Sequence, residues 1–598
     1  MEETVSVKSA EPKKKLSSYL VPYWCPAIIS PIFMMGEVVC DLLLTKQMSN
    51  IVNEGVILGD MNAIWRIGAV MILIAIIGGF TGISCSYTAS LASEGFAKDL
   101  RVDMFRRVMY LSQQQTDKFT TGSLVTRMTN DITVLQEFVR EILHMFVRAP
   151  IFFIGGIIFT LQLNVNFGYV VIVAFPFLVI AVIVMLKIVN PMYSKVQKKL
   201  DRVNAVVQEN VTGARVVKAY TREEHEIGRF DEANTDYRDT SYKVGKVMAF
   251  LMPILSIIMN MSIVAIYYIG ASLVSTESQE AASVALMEIN AGDVMAAASY
   301  ITQILSSIMM MSMMFQMFAR GKASAQRVRE VLYSDPAILG GELKETDPVG
   351  SIEMKNVSFR YPNAQGDNVL ENINLSVRKG ETIAIIGSTG SGKSTLVSLL
   401  PRFYDADEGE IYIDGQNVRD YDLHELRQKF GFVLQKSELF SGTIADNIRW
   451  GKDDATDEEV VRAAKIAQAD EFITGFNGGY DSVVAEKGAS LSGGQKQRMS
   501  IARAIVRNPE FLIFDDSTSA LDLGTEARLQ ASLRENMKDT TVIMIAQRIA
   551  SVKNADRIAV IEHGTITAFA PHDELMKTSE AYREIYASQM KNTDGGEE

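Results

Sequence analysis

Apolar residues gather in six long runs over the first 320 positions of this chain, near 19–45, 63–92, 138–162, 165–190, 247–274 and 291–318. At about 1.5 Å per helical residue each run is long enough to cross roughly 30 Å of hydrocarbon. Six membrane-spanning helices are predicted. The stretches 93–137 and 191–246 are long and charged, and Phe96 to Leu111 and Val196 to Val207 keep a helical period without breakers. Spans two to five are therefore expected to run on as helices beyond the bilayer. Their turn-like breaks, Thr116–Gly122 and Asn210–Gly213, read either as short helices resting on the second half of the chain or as simple hairpin turns.

Charge decides the expected orientation. From Val247 to Ala319 there is no Lys or Arg, whereas 191–246 carries many. By the positive-inside rule the long loops and both termini are expected in the cytoplasm. After Arg320 the character changes: Lys322–Leu332 reads as a polar helix, and 334–350, with Pro336, Gly340, Gly341 and Pro348, as a linker. Ser351 to Arg378 alternates like antiparallel strands, while Ile383–Ile386 and Phe511–Phe514 are continuous apolar runs of the kind buried in a parallel sheet. The expected organisation is a cytoplasmic N-terminus at 1–18, a six-helix membrane domain at 19–333, the linker, and an α/β domain at 351–598.

Composition adds exclusions. The 598 residues carry a net charge of −12, and no basic tract is long enough to argue for nucleic acid. Lys13, Lys14 and Lys15 fit the cytoplasmic flank of a first span. Cys25, Cys40 and Cys85 all lie in apolar segments, so no disulfide framework is expected. The first apolar run is too long for a cleaved signal and lacks a small-residue cleavage site.

The candidate chemistry sits just after the strand at Ile383. Gly387-Ser388-Thr389-Gly390-Ser391-Gly392-Lys393-Ser394-Thr395 fits the spacing G-x-x-x-x-G-K-[ST], in which backbone N–H groups close around phosphate oxygens. Lys393 is expected to reach the β- and γ-phosphates of ATP, and Ser394 to hold Mg²⁺. Tyr361, upstream, is a candidate to stack on adenine or a packing residue. Further on come Leu491-Ser492-Gly493-Gly494-Gln495, then Asp515 and Asp516 at the end of a four-residue apolar run, where Asp515 is placed to deliver a carboxylate to Mg²⁺.

Phosphate loop, L-S-G-G-Q, acidic strand and Ser519-Ala520-Leu521-Asp522, in this order, resemble the ATP-binding cassette family. With six preceding spans and two long inner loops, including Glu209-Asn210-Val211-Thr212-Gly213 and Val217-Lys218-Ala219-Tyr220, nearly the whole chain resembles its exporter-type half-transporters. The resemblance implies a type IV (type I exporter) membrane domain followed by a P-loop ATP-binding cassette. It also implies that Gln435 touches Mg²⁺ and faces the coupling helices, that Ala485-Glu486-Lys487-Gly488 is the loop before the signature, and that two cassettes close head to tail. Each ATP would then lie between one chain's phosphate loop and the other's signature.

Two positions depart from the family pattern. The usual general-base Glu is Asp516, whose carboxylate falls about 1.5 Å short, and the usual switch His is Gln547, whose amide carries no charge and shuttles no proton. The signature at 491–495 matches in full. The expectation is an ATP site that hydrolyses slowly in one half of a bacterial heterodimeric multidrug exporter, the partner half-transporter supplying the intact Glu and His. A slow homodimer is the competing arrangement. In the membrane half, Glu37 and Asp41 share one face of the first span, read either as a cavity for cationic substrate or proton coupling or as groups that sit near the outer leaflet or pair with another helix. The Met-rich sixth span, with Met309, Met310 and Met313, reads equally as an adaptable surface for small amphipathic substrates or as ordinary packing. An ATP-gated regulator or channel, a lipid or peptide exporter and a chelate importer remain alternatives on the same fold; six spans argue against a soluble cassette ATPase.

Overall fold

The structure, a computed structural model, describes residues 14–280, 290–344, 346, 347, 349–362, 364, 366–485 and 488–594. Lys13, Pro348, Glu486 and Lys487 lie outside the described residues. The chain forms two compact units: Met1–Met109 with Gly122–Ser334, and Tyr110–Thr121 with Asp335–Glu598.

The first unit is helical. Its helices are α1 (Trp24–Asn50), α2 (Met61–Met109), then, after α3 (Gln113–Phe119) of the second unit, α4 (Thr121–Thr126), α5 (Ile132–Leu163), α6 (Val165–Thr212), α7 (Ala214–Ala219), α8 (Glu223–Glu280) and α9 (Ala291–Leu332). Among the described residues five helical stretches are long and apolar enough to cross a membrane: Leu16–Val56, Met61–Met109, Thr121–Leu163, Ser256–Leu273 and Ala291–Met311. A sixth, Val165–Ala181 at the start of α6, is shorter. The helical continuation past the apolar runs is as expected, α2 reaching Met109 and α6 reaching Thr212. Helix also begins earlier than the sequence pattern indicated, because a 3-10 turn over Leu16–Tyr23 buries Leu16 and Tyr19 and lets the Tyr19 hydroxyl donate to Asp103 at 2.9 Å.

Close approach holds these helices together. A side chain at Gly156 of α5 would meet Ile304 of α9 at 2.6 Å, so only glycine lets the two backbones come this near. Nearby, the buried Tyr300 hydroxyl donates to the Leu42 carbonyl at 2.9 Å, which satisfies a polar group that hydrocarbon cannot.

The second unit carries the sheets. Its strands are β1 (Ile352–Phe359), β2 (Leu370–Val377), β3 (Thr382–Gly387), β4 (Glu408–Ile413), β5 (Gln416–Asn417), β6 (Phe430–Val433), β7 (Gly442–Thr443), β8 (Val483–Val484), β9 (Phe511–Asp515), β10 (Thr541–Ile545), β11 (Arg557–Glu562) and β12 (Thr565–Ala570). A six-stranded sheet runs β12-β11-β3-β10-β9-β6 and is parallel except for the antiparallel β12 edge. A four-stranded antiparallel sheet runs β2-β1-β4-β5. Every residue of β9 and of β10 is buried, which explains why these strands read as unbroken apolar runs.

The second unit begins at Asp335, inside the expected linker boundary, but it also takes Tyr110–Thr121, which the sequence reading had assigned to the membrane domain. The reason is local bonding. Gln115 of α3 donates to the Asp335 carbonyl at 2.7 Å and accepts from the Ala337 N–H at 3.1 Å, while Tyr404 donates to Asp117 at 2.6 Å. Of the two breaks read as short helices, the first falls largely in α3, which rests on the α/β unit, whereas Asn210–Gly213 is the end of α6 and the turn before α7, in the first unit.

Candidate functional site

The ends of β3 and β9 lie on either side of β10, so the loops that follow β3 and β9 open at the same edge of the sheet. From β3 the chain turns through 388–392 into α10 (Lys393–Leu399). The turn is closed tightly enough to require its glycines. A side chain at Gly387 would lie 2.2 Å from the Ile561 carbonyl, and Gly392 holds φ at +96° with the Val369 carbonyl 2.9 Å from where a Cβ would sit. Lys393 folds back over the loop and donates to the carbonyls of Gly387 and Ser388 at 2.9 and 2.7 Å. Burial pushes its ammonium pKa down, and the facing Asp516 and Asp515 oppose that shift.

Ser394, the second residue of α10, donates to Asp515 at 2.6 Å. Burial, reinforced by Asp516, raises the Asp515 pKa against the opposing pull of Ser394 and Lys393. The hard oxygen donors of Ser394 and Asp515 suit Mg²⁺. Gln435 approaches from the end of β6, but its amide nitrogen donates to Asp516 Oδ2 at 3.1 Å, so its carbonyl oxygen is the atom that would meet Mg²⁺. Asp516 itself is 7% exposed, has φ of +47° and receives a second amide, Gln547 Nε2, on the same Oδ2 at 2.7 Å. Its Oδ1 is buried with no hydrogen-bond partner among the described residues. A glycine-walled loop beside an ammonium suits the phosphates of ATP and the oxygen-donor set suits Mg²⁺, while the orphaned Asp516 Oδ1 is an acceptor left for a donor such as water.

Three expected site residues are placed differently from the simplest sequence reading. Gln435 and Gln547 converge on Asp516, because both amides are donors and Asp516 is the buried acceptor between them. Tyr361 is half-buried and packs near-perpendicular to Phe359 and Tyr404, with its hydroxyl 3.0 Å from Thr395 Oγ1. In the signature, Ser492 caps the helix Gly493–Val506 in a reciprocal box with Gln495, while Ser492 and Gly493 remain exposed. Leu491 is buried beneath them, and Gly494 lies against the Ala520 carbonyl.

In the membrane unit, Glu37 and Asp41 do share a face, and Arg148 of α5 fills the space between them, 2.7 Å from Glu37 and 3.5 Å from Asp41. Both carboxylates are thus paired with another helix. Arg148 lies in the third apolar run, which also carries Arg140, and no motif marks it. Met313 is exposed, Met314 is buried, and Met309 packs against the core formed by α6, α8 and α9, so the methionines do not share a single environment. Sequence reasoning also missed Asp117 and Tyr404, which carried no motif.

The ABC transporter transmembrane region model matches residues 27–309, and the ABC transporter model matches 370–519. The chain is 37% identical over 96% of its length, and 98% of the relative's, to the "uncharacterized ABC transporter ATP-binding protein YfiB" of Bacillus subtilis (strain 168). It is 30% identical, over 96% of its length and 97% of the relative's, to the "ATP-dependent lipid A-core flippase" of Haemophilus influenzae (strain 86-028NP). Among solved structures, a bacterial Atm1-family ABC exporter with ATP bound matches at a TM-score of 0.75 and 25% identity, covering 96% of this chain and 98% of that one.

Proposed function

The chain belongs to the ABC transporter family, and on that premise we propose that it is the half of a heterodimeric exporter whose own ATP site binds and closes but hydrolyses slowly. The coarser statement needs no proposal: this is an ABC exporter of the type IV fold, a helical membrane domain followed by an ATPase cassette. The observation that carries the finer one is the pair of amides on Asp516. A general base must reach the attacking water, and Gln435 and Gln547 both tether Oδ2 of a side chain already one methylene short, which leaves only the buried Oδ1 as an acceptor.

In this reading Lys393 and the loop N–H groups hold the phosphates, and Ser394, Asp515 and Gln435 hold Mg²⁺, which neutralises charge on the β- and γ-phosphates when bound. Ser492 and the amides at the start of its helix complete the opposite site, on ATP held by a partner half-transporter that contributes the missing Glu and His. Hydrolysis there resets the pair, while ATP retained at Asp516 biases the cassettes toward contact. Both termini and the cassette lie in the cytoplasm, on the inner side of the cell membrane, and the cargo is small, hydrophobic or amphipathic. A lipid cargo is the second reading, favoured by the likeness to the flippase.

The test is to purify the transporter from its native membrane through a tag on this chain, identify what accompanies it, and assay ATP-dependent uptake in inside-out vesicles. A second, different cassette subunit with Glu and His at these positions, and uptake of ethidium, support the reading. A homodimer overturns the pairing, and lipid translocation without ethidium uptake favours the second cargo.

A further inference from the structure

The second unit contains a continuous set of contacts that joins α3 to Tyr361, the candidate residue for stacking on adenine. Asp117 of α3 accepts from the Tyr404 hydroxyl at 2.6 Å and, on its other oxygen, from Gln113 at 3.2 Å. Tyr404 is 9% exposed, and burial together with the Asp117 carboxylate pushes its phenol pKa up, so it remains a neutral donor. An O–H donor on a carboxylate at this distance is charge-assisted and orients the ring firmly. The Tyr404 ring lies 5.3 Å from the Tyr361 ring at 87°, and Phe359 packs against both, at 5.6 and 5.1 Å. Tyr361 in turn meets Thr395, two residues after Lys393, through its hydroxyl at 3.0 Å. Edge-to-face ring packing of this kind fixes position as well as burying area.

We propose that Tyr404 is a positioning residue that sets the adenine platform Tyr361 according to where Asp117 holds it, giving ATP affinity a dependence on α3 that bypasses the γ-phosphate groups. The chain order supports this. α3 is separated by three residues from the end of α2, a helix long and apolar enough to cross a membrane, and is followed by Thr120 at φ of +58° before α4 begins. Movement of the α2 end therefore pulls on Asp117 through the backbone. Gln115 fixes the other side of α3 to Asp335 and Ala337, at the start of the segment that leads from α9 to β1. The proposal rests on Tyr361 stacking on adenine.

The test uses the full-length chain, with whatever copurifies, in lipid nanodiscs. ATP and tripolyphosphate, which has no base, each compete against TNP-ATP. Tyr404→Phe and Asp117→Ala are each expected to weaken ATP about fivefold, the double variant no more than the weaker single, with tripolyphosphate unchanged. Asp117→Asn, which keeps an acceptor, is expected to recover most of the loss. Equal weakening of both competitors would mean a disturbed phosphate loop and would overturn the relay, as would unchanged ATP affinity. Tyr361→Ala separates the two layers: if it leaves ATP affinity intact, the adenine reading itself fails, whereas if it weakens ATP and the Tyr404 and Asp117 variants do not, only the relay fails.

Discussion

Gln547 donates its side-chain amide to Asp516 Oδ2 at 2.7 Å, across 31 residues of sequence. The two positions that depart from the family pattern thus meet in one hydrogen bond. A shortened carboxylate that accepts from two glutamines on Oδ2 is held in place, with Oδ1 as its remaining acceptor. Restoring only one member of the pair leaves the other wrong. Asp516→Glu alone is expected to change ATP turnover at this site less than threefold, because the longer carboxylate still faces two amide donors. Asp516→Glu with Gln547→His is expected to raise it by about a hundredfold, the lower end of a general base's contribution. Steady-state phosphate release on a Ser492→Ala background, where the opposite site is silenced, isolates the effect.

Asp515 gives a pH dependence. Its folded pKa lies above that of an ordinary aspartate, through burial first and then the neighbouring Asp516. Protons therefore compete with Mg²⁺ at a higher pH than they do at an exposed carboxylate. Mg²⁺-dependent TNP-ATP binding is expected to fall as the pH drops toward that raised pKa, while Mg²⁺-independent binding falls less. Asp515→Asn should remove the difference between the two curves.

Gly387 tests the loop's packing. Gly387→Ala would place a methyl 2.2 Å from the Ile561 carbonyl and 2.9 Å from Ser391 Oγ. The Ile561 carbonyl cannot move without opening the β3–β11 pairing. A loss of about 1–3 kcal/mol in unit stability is expected from overpacking of this kind, with ATP binding lost at the same time. Differential scanning fluorimetry with and without ATP reads both.

Arg148 carries the membrane-unit prediction. It answers two carboxylates, and removing it leaves both without a cation. Arg148→Met is expected to cost about 3 kcal/mol, at the low end for deleting one partner of a buried pair because these groups are partly exposed. The triple change with Glu37→Gln and Asp41→Asn should recover most of it. Thermal unfolding in lipid is the measurement.

Much of the fold could be read along the chain because it depends on local period. Phe511–Asp515 announced a buried strand ending in acid, and Gly387 to Ser394 announced the loop, since each is contiguous. The contacts that give those pieces their function are long-range. Arg148 and Glu37 are 111 residues apart, and Tyr404 and Asp117 are 287 apart. No periodicity encodes which faces of α1 and α5 meet, or that Asp117 of α3 finds Tyr404. The same holds at Asp516: Gln435 and Gln547 were each legible as separate motif positions, but their convergence on one oxygen depends on β6, β9 and β10 lying side by side.

The unequal division of labour is tested most directly by comparing two substitutions in the transporter purified through this chain. Ser492→Ala disables the half-site this chain lends to its partner, and Asp516→Asn alters the half-site it keeps. If the pair is unequal, Ser492→Ala removes nearly all ATP turnover while Asp516→Asn leaves it within about twofold of the parent. Equal collapse in both variants would mean that Asp516 serves as a working base and that the two sites are alike.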